Sequence, residues 1–188
     1  MSVQDSKLFV ISGPSGAGKG TLVTRVRELR SNLGLTVSAT TRAPRKGEVD
    51  GVNYFFLTRE EFDRRVANGE FVEWAEVHGN CYGTLVSEVT SKLASGASLI
   101  LEIDVQGALQ VKERFPEAVL IFIKPPSLEV LRERLVGRGT ETPETIELRM
   151  ANAADELALA DRYDYIYAAV GIGGLYAISY YGRIRSQS

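Results

Sequence analysis

The sequence predicts an α/β protein with a mostly parallel central sheet. Three short apolar runs carry this prediction, at residues 7–12, 98–104 and 119–123. The first leads into a glycine-rich loop, the second into Gly107 and a helical stretch, and the third stops at two prolines before two charged helices. Apolar strands that alternate with helices indicate a parallel sheet with helices on both faces.

The first run predicts the order strand, loop, helix. Leu22, Val26, Leu29 and Leu33 recur at helical spacing, and Gly34 is expected to end that helix. Together with residues 1–35, the segments 88–126 and 157–188 form the predicted core.

Residues 36–87 have a different character and predict an inserted, strand-rich subdomain. Their one short helix is opened by a capping box, in which Thr58 bonds the amide of Glu61 and the Glu61 side chain reaches back to the cap, and Gly69 ends it. Residues 127–156 predict a helical lid of two charged helices, the second opened by Thr142 and Pro143. Residues 137–139, Gly-Arg-Gly, are a flexible joint between these two helices.

Length, net charge and cysteine content limit the possible functions. A chain of 188 residues with a net charge of −2 predicts one domain and argues against nucleic-acid binding through bulk charge. One cysteine, Cys81, indicates a reducing compartment, and the N-terminus has no signal-peptide pattern, so we expect a cytoplasmic protein. The uncharged residues 165–182 hold too many Gly and Tyr for a membrane span and predict a terminal strand plus a buried segment.

The stretch GPSGAGKGT after the first strand predicts a phosphate-binding loop. Its backbone amides and the following helix N-terminus attract phosphate, and Lys19 is placed to reach the β- and γ-phosphates. Most such loops carry a hydroxyl after the Lys to bind Mg²⁺, but here Gly20 occupies that position. The predicted ATP site comprises Gly13, Pro14, Ser15, Gly16, Ala17, Gly18, Lys19, Gly20 and Thr21.

The GKGT variant resembles the loop of adenylate kinases, in which Mg²⁺ is held largely by the nucleotide and by water. Residues 38–56 and 71–84 closely resemble the GMP-binding region of guanylate kinases, as do the shorter motifs at 102–107, 125–127 and 137–140. The resemblance spans residues 7–165. It implies a three-layer α/β/α P-loop NTPase core with a GMP-binding insert and a helical lid.

The resemblance also implies roles for individual residues. Four of them would clamp the GMP phosphate, and a carboxylate at position 73 would accept guanine N1–H and the 2-amino group. Ser38 and Thr84 would bond the carbonyl side of the base. The predicted GMP site comprises Ser38, Arg42, Arg45, Glu48, Tyr54, Glu73, Tyr82, Gly83, Thr84, Glu102 and Asp104, of which Arg42, Arg45, Tyr54 and Tyr82 form the phosphate clamp.

Catalysis by such a site depends on neutralising the charge of the transferred phosphoryl group. Asp104 would order Mg²⁺ through water, and the metal would arrive with ATP. No general base is required, because the acceptor phosphate is already anionic. The predicted catalytic residues are Lys19, Arg42, Arg134, Arg138 and Arg149.

These features predict ATP-dependent phosphorylation of GMP, and also of dGMP, by a monomer or homodimer without membrane or nucleic-acid partners. One alternative is a noncatalytic scaffold that reuses the phosphate clamp, but it would not need Lys19 or the lid arginines. Another is a kinase for a different monophosphate, which Glu73 argues against.

His78 and Cys81 are expected to be structural. Guanylate kinases normally carry, after the position of residue 165, an Asn-Asp pair that helps hold adenine, and this chain lacks that pair.

Overall fold

The computed structural model describes residues 6–30, 32–77, 79–137, 142–172 and 175–183, with side chains described as far as residue 168. The chain divides into two compact units. The first contains Met1–Leu8, Ser31–Leu101 and Gln106–Ala118, and the second contains Phe9–Arg30, Glu102–Val105 and Val119–Ser188. The elements in chain order are β1 (Leu8–Ser12), α1 (Lys19–Leu29), β2 (Leu33–Leu35), β3 (Ala39–Thr40), β4 (Phe55–Phe56), α2 (Arg59–Ala67), β5 (Phe71–Val77), β6 (Asn80–Leu85), α3 (Val86–Ala94), β7 (Ser98–Glu102), α4 (Val105–Arg114), β8 (Val119–Lys124), α5 (Leu128–Gly137), α6 (Pro143–Ala158), a 3₁₀ turn (Ala160–Arg162), β9 (Tyr165–Ile172) and β10 (Leu175–Arg183).

The second unit is built on parallel strands. β1 pairs with β8, and β8 pairs with β9, both in parallel register. Val10, Leu120 and Phe122 are fully buried, as expected for strands covered on both faces. Because these strands are parallel, the loop after β1 emerges at their carboxyl ends, where α/β folds place ligand sites.

The first unit contains a parallel pair, β2 with β7, and a four-stranded sheet in the order β4-β3-β6-β5. In that sheet β6 is antiparallel to both of its neighbours, whereas β3 and β4 are parallel. Its core is a cluster of five buried residues: Ala39, Phe62, Phe71, Cys81 and Leu85. The four strands lie within residues 36–87, so the strand-rich character predicted for that segment is confirmed, whereas its bounds as an inserted subdomain stay a prediction.

Two predicted boundaries are wrong. The first helix ends at Leu29, and Leu33 and Gly34 belong to strand β2. Leu33 keeps the helical spacing of apolar residues, but it pairs with β7 instead of extending the helix. At Gly34, in the same strand, a Cβ would lie 2.9 Å from Leu99 Cδ2. The strand predicted to reach Asp104 ends at Glu102.

The helix starts are predicted correctly. The Thr58 hydroxyl accepts from the amide of Glu61 at 3.1 Å, and Thr142 caps α6 with Pro143 as its first residue. The Glu61 carboxylate, expected to reach back to the cap, accepts from Arg65 instead. In the tail, β9 and β10 pair antiparallel, so a second strand stands where a buried segment was expected. Among the described residues, no helix is both long and apolar enough to span a bilayer.

Candidate active site

The glycine-rich loop between β1 and α1 is shaped by its backbone. Gly13, Gly16 and Gly18 have φ values of 139°, 89° and 104°, a region that side-chain-bearing residues rarely adopt. At Gly13 a Cβ would also lie 2.1 Å from the carbonyl oxygen of Ile123 on β8. Only glycine therefore fits at the point where the loop leaves the sheet.

Lys19 is the first residue of α1 and folds back over the loop. Its ammonium donates to the carbonyl oxygens of Gly13 at 2.5 Å and of Pro14 at 3.0 Å. The cleft beside it has a volume of about 310 Å³. Its lining consists of Ser15, Gly16, Gly18, Lys19, Gly20, Thr21 and Glu102.

Gly20 faces a carboxylate. A Cβ at this position would lie 3.4 Å from Glu102 Oε1, in ordinary van der Waals contact. Partial burial raises the pKa of Glu102, and the charge of Lys19 acts against that rise. Glu102, predicted at the GMP site, thus lines the cleft of the glycine-rich loop. Its role towards GMP stays a prediction.

Two of the three predicted lid arginines contact this loop. Arg134 on α5 donates to the carbonyl oxygens of Ala17 at 3.2 Å and Gly16 at 3.4 Å. Arg149 on α6 donates to Ser15 Oγ at 2.6 Å. The third, Arg138, lies outside the described residues.

Asp104 is exposed two residues beyond the end of β7. The amide of Ile103 donates to the carbonyl of Ile11 at 3.3 Å, which holds this segment beside the end of β1. Because Asp104 is exposed, its charge does not carry the desolvation cost of an acid within a buried strand. In the described part of the chain, no cluster of three or more His, Cys, Asp or Glu could hold a metal.

In the first unit, the predicted phosphate clamp is organised around Arg42. Its guanidinium makes two hydrogen bonds to the Glu48 carboxylate, at 2.9 and 3.0 Å, and lies 5.4 Å from the centre of the Tyr54 ring. Tyr82 packs edge-on against Tyr54 at 6.3 Å. The exposed residue Arg45 contributes its backbone amide to Glu48 at 2.6 Å. The Arg42 hydrogen bond and the Arg45 amide lower the pKa of Glu48.

The predicted base-recognition residues Glu73 and Thr84 are cross-strand neighbours on β5 and β6. The Thr84 hydroxyl donates to Glu73 Oε1 at 2.7 Å, and both residues are buried. Gly83 is required beside them, because a Cβ there would lie 2.8 Å from the Glu73 carbonyl oxygen. Ser38 is half-buried, and its carbonyl accepts from the amide of Phe55 at 2.9 Å.

A family model described as guanylate kinase matches residues 5–172. This chain belongs to the guanylate kinase family. A guanylate kinase of Gloeobacter violaceus is 58% identical, over 85% of this chain and 78% of that protein. One of Halalkalibacterium halodurans is 54% identical, over 88% of this chain and 81% of that protein.

A solved structure supports the same family assignment. The crystal structure of a guanylate kinase from Anaplasma phagocytophilum matches with a TM-score of 0.63 and 38% identity, covering 87% of this chain and 76% of that one. The predicted class, a P-loop α/β fold with a mostly parallel sheet, is confirmed.

Three polar residues of the second unit were not predicted from the sequence. Ser12 and Tyr163 are buried, and their hydroxyls have no hydrogen-bond partner of normal geometry among the described residues. Burial raises the pKa of Tyr163 to about 12. The third residue, Glu156, is half-buried on α6. Its spacing of seven from Arg149 was the signal that could have identified it, since both lie on one helix face.

Two residues that suggest reactive chemistry were expected to be structural. Cys81 lies in the core of the four-stranded sheet, and burial raises the pKa of its thiol, which makes the nucleophilic thiolate scarce. This agrees with a structural role. His78 lies outside the described residues.

Proposed function

We propose that this chain transfers the γ-phosphoryl group of ATP to GMP, giving ADP and GDP. The observation that carries the proposal is its identity of more than 50%, over most of its length, to relatives named guanylate kinase. The residues of the two units have distinct roles in this proposal.

The second unit supplies the donor site. The loop amides and the helix N-terminus bind the ATP phosphates, and Lys19 moves from its carbonyl partners to the β- and γ-phosphates. Arg134 and Arg149 already contact the loop, so short side-chain movements bring their charges onto the transferred group. Arg138 is proposed to act with them.

Magnesium fits this unit as a companion of the nucleotide. The protein offers two carboxylates, the exposed Asp104 and Glu102 in the cleft lining, without a cluster among the described residues able to enclose a metal. Mg²⁺ prefers to keep water and to bind phosphate oxygens, which matches such a site. Asp104 would hold the hydration shell. When bound, the metal neutralises charge on the β- and γ-phosphates.

The first unit supplies the acceptor site. Arg42 and Arg45, with the hydroxyls of Tyr54 and Tyr82, bind the GMP phosphate, and Glu48 keeps the Arg42 guanidinium in a fixed plane. Glu73, held by Thr84, accepts the two donors of guanine, which the corresponding edge of adenine lacks.

Further parts of the proposal concern organisation and context. We assign residues 1–35, 88–126 and 157–188 to the core, 36–87 to the GMP-binding insert and 127–156 to the lid. The protein also uses dGMP, works in the cytoplasm as a monomer or homodimer, and has no nucleic-acid or membrane partner.

The test is ADP production by the purified protein with Mg·ATP and, in parallel, GMP, dGMP, AMP, UMP or no acceptor. Turnover with GMP and dGMP alone supports the proposal. Turnover with another monophosphate, or none with any acceptor in protein shown to be folded, contradicts it. In the second case GMP binding without ATP binding would indicate a damaged donor site, whereas capture of a phosphorylated peptide would indicate a scaffold.

A further inference from the structure

Helix α6 carries two charged side chains on one face, and the first of them contacts the glycine-rich loop. Arg149 and Glu156 are seven positions apart, which is close to two helical turns and puts them on one face. Ile146 and Ala153, buried residues of the same helix, share that face. Since Arg149 bonds Ser15 Oγ at 2.6 Å, the orientation of this face towards the loop is fixed.

The surroundings of Glu156 are polar and partly closed. The Glu156 carboxylate interacts electrostatically with the ammonium of Lys19 and with Asp104. It also interacts with Tyr163, whose buried hydroxyl approaches Ser12 directly before the loop. Burial is the main influence on Glu156 and raises the pKa of its carboxyl. A charge in such surroundings is screened less than one at the surface.

We propose that Glu156 is a positioning residue for Lys19. Its charge, applied from α6, attracts the ammonium and sets the direction in which Lys19 meets the phosphates. The inference rests on the proposed function and adds to it a residue outside the predicted site. It also gives α6 two opposite tasks, since Arg149 attracts the phosphates while Glu156 acts on the lysine that binds them.

This role predicts that neutralising Glu156 slows the chemical step without weakening ATP binding. Removing an anion beside a polyanion site strengthens the attraction of that site for ATP. Misplacing Lys19 nevertheless slows the chemical step, because small errors in the position of a charged group are costly in phosphoryl transfer. A residue that merely supported the fold would instead weaken ATP binding and stability together.

The experiment compares Glu156→Gln with Asp155→Asn, which removes one exposed carboxylate from the neighbouring position of the same helix. Turnover, melting temperature and the Kd of Mg·ATP are measured at pH 8, where the carboxylate is favoured. We expect Glu156→Gln to lower kcat by ~10-fold or more with an unchanged or smaller Kd. Asp155→Asn should match the wild type, and Glu156→Asp, which keeps the charge, should recover part of kcat.

Two results for a folded Glu156→Gln overturn the inference: a kcat within about twofold of the wild type, or a lower kcat with a larger Kd. If Glu156→Gln does not fold, Glu156→Asp decides. A lowered kcat at constant Kd supports the role, and any other combination overturns it. If the wild type itself fails to phosphorylate GMP, the proposed function fails first. The Kd comparison then decides alone, a smaller value in Glu156→Gln retaining the inference and any other value overturning it.

Discussion

The proposed donor site, at the glycine-rich loop, and the proposed acceptor site, around Arg42 and Glu73, are built by different means. The donor loop takes its shape from backbone geometry, with three glycines at positive φ and a lysine bonded to main-chain carbonyls. The acceptor site consists of side chains already paired with one another, Arg42 with Glu48 and Glu73 with Thr84. A backbone-built site depends on the absence of side chains at particular points, whereas a side-chain-built site depends on the match between partners. The two sites should therefore respond to different substitutions.

The largest effect should come from the donor loop. Lys19→Ala removes the charge proposed to contact the β- and γ-phosphates and should lower kcat by ~10³-fold or more while the fold persists. Turnover and circular dichroism check this, with Lys7→Ala, an exposed lysine, as the control. An unchanged rate would remove Lys19 from the site.

Gly13→Ala tests whether the loop is built by its backbone. The new Cβ would meet the Ile123 carbonyl oxygen at 2.1 Å, in addition to the cost of a φ of 139°. Gly47→Ala is the matched control in the acceptor region, because Gly47 has a φ of 89° and no atom within 4 Å of its Cβ position. We expect Gly47→Ala to cost about 1–3 kcal/mol in urea unfolding, and Gly13→Ala to cost clearly more and to weaken ATP binding. Equal losses would show that the loop yields to the clash.

The next effect concerns specificity at the acceptor site. Glu73→Gln leaves one acceptor oxygen for two guanine donors and should reduce the preference for GMP over AMP by ~10²-fold. Parallel kcat/KM measurements with both nucleotides check this. Glu76→Gln, on the exposed part of the same strand, should leave the preference intact. Unaltered selectivity in Glu73→Gln would take this residue out of the base site.

A smaller effect is expected where one side chain only orients another. Glu48→Gln weakens the two hydrogen bonds that hold Arg42 and should raise KM for GMP by ~10-fold with little change in kcat. Glu117→Gln, an exposed carboxylate elsewhere in the same unit, serves as the control. A lower KM would mean that Glu48 competes with the phosphate for Arg42 rather than preparing it.

The smallest expected effect is the pH dependence of the stability that the Arg42–Glu48 pair contributes. Because Arg42 lowers the pKa of Glu48, this pair contributes stability that is fully present above the unfolded carboxyl pKa of ~4.3. That contribution is lost as the pH falls through the lower folded value. NMR titration of the Glu48 carboxyl carbon should give a midpoint below that of an ordinary glutamate. A midpoint at or above the ordinary value would show that the pair does not persist in solution.

This contrast also explains what could be predicted from the sequence. The loop was predictable from its residues alone, because each glycine meets a local backbone requirement beside a strand and a helix. The caps of α2 and α6 were predictable for the same reason, since Thr58 and Thr142 act on residues three positions away. Local rules were sufficient wherever the partners are close in sequence.

Long-range pairing limited the prediction. Thr84 and Glu73 are joined by strand register, and only the resemblance to a known family placed them at one site. Leu33 continued a helical spacing but entered β2, because pairing with β7 overrode the local pattern. Tyr163 and Ser12 come together only once β1 and the chain after α6 have folded, and no local signal marks them.

The buried thiol of Cys81 can report local opening of the four-stranded sheet. Cys81 is fully buried in the cluster with Phe62 and Phe71, and its raised pKa suppresses the thiolate further. Alkylation must therefore wait until this sheet separates from α2, and the labelling rate at a fixed pH measures how often that happens. The chain contains no other cysteine, so a mass shift of a single adduct reads the motion without any engineered probe. A ligand that binds only to the closed sheet should slow the labelling in proportion to its occupancy.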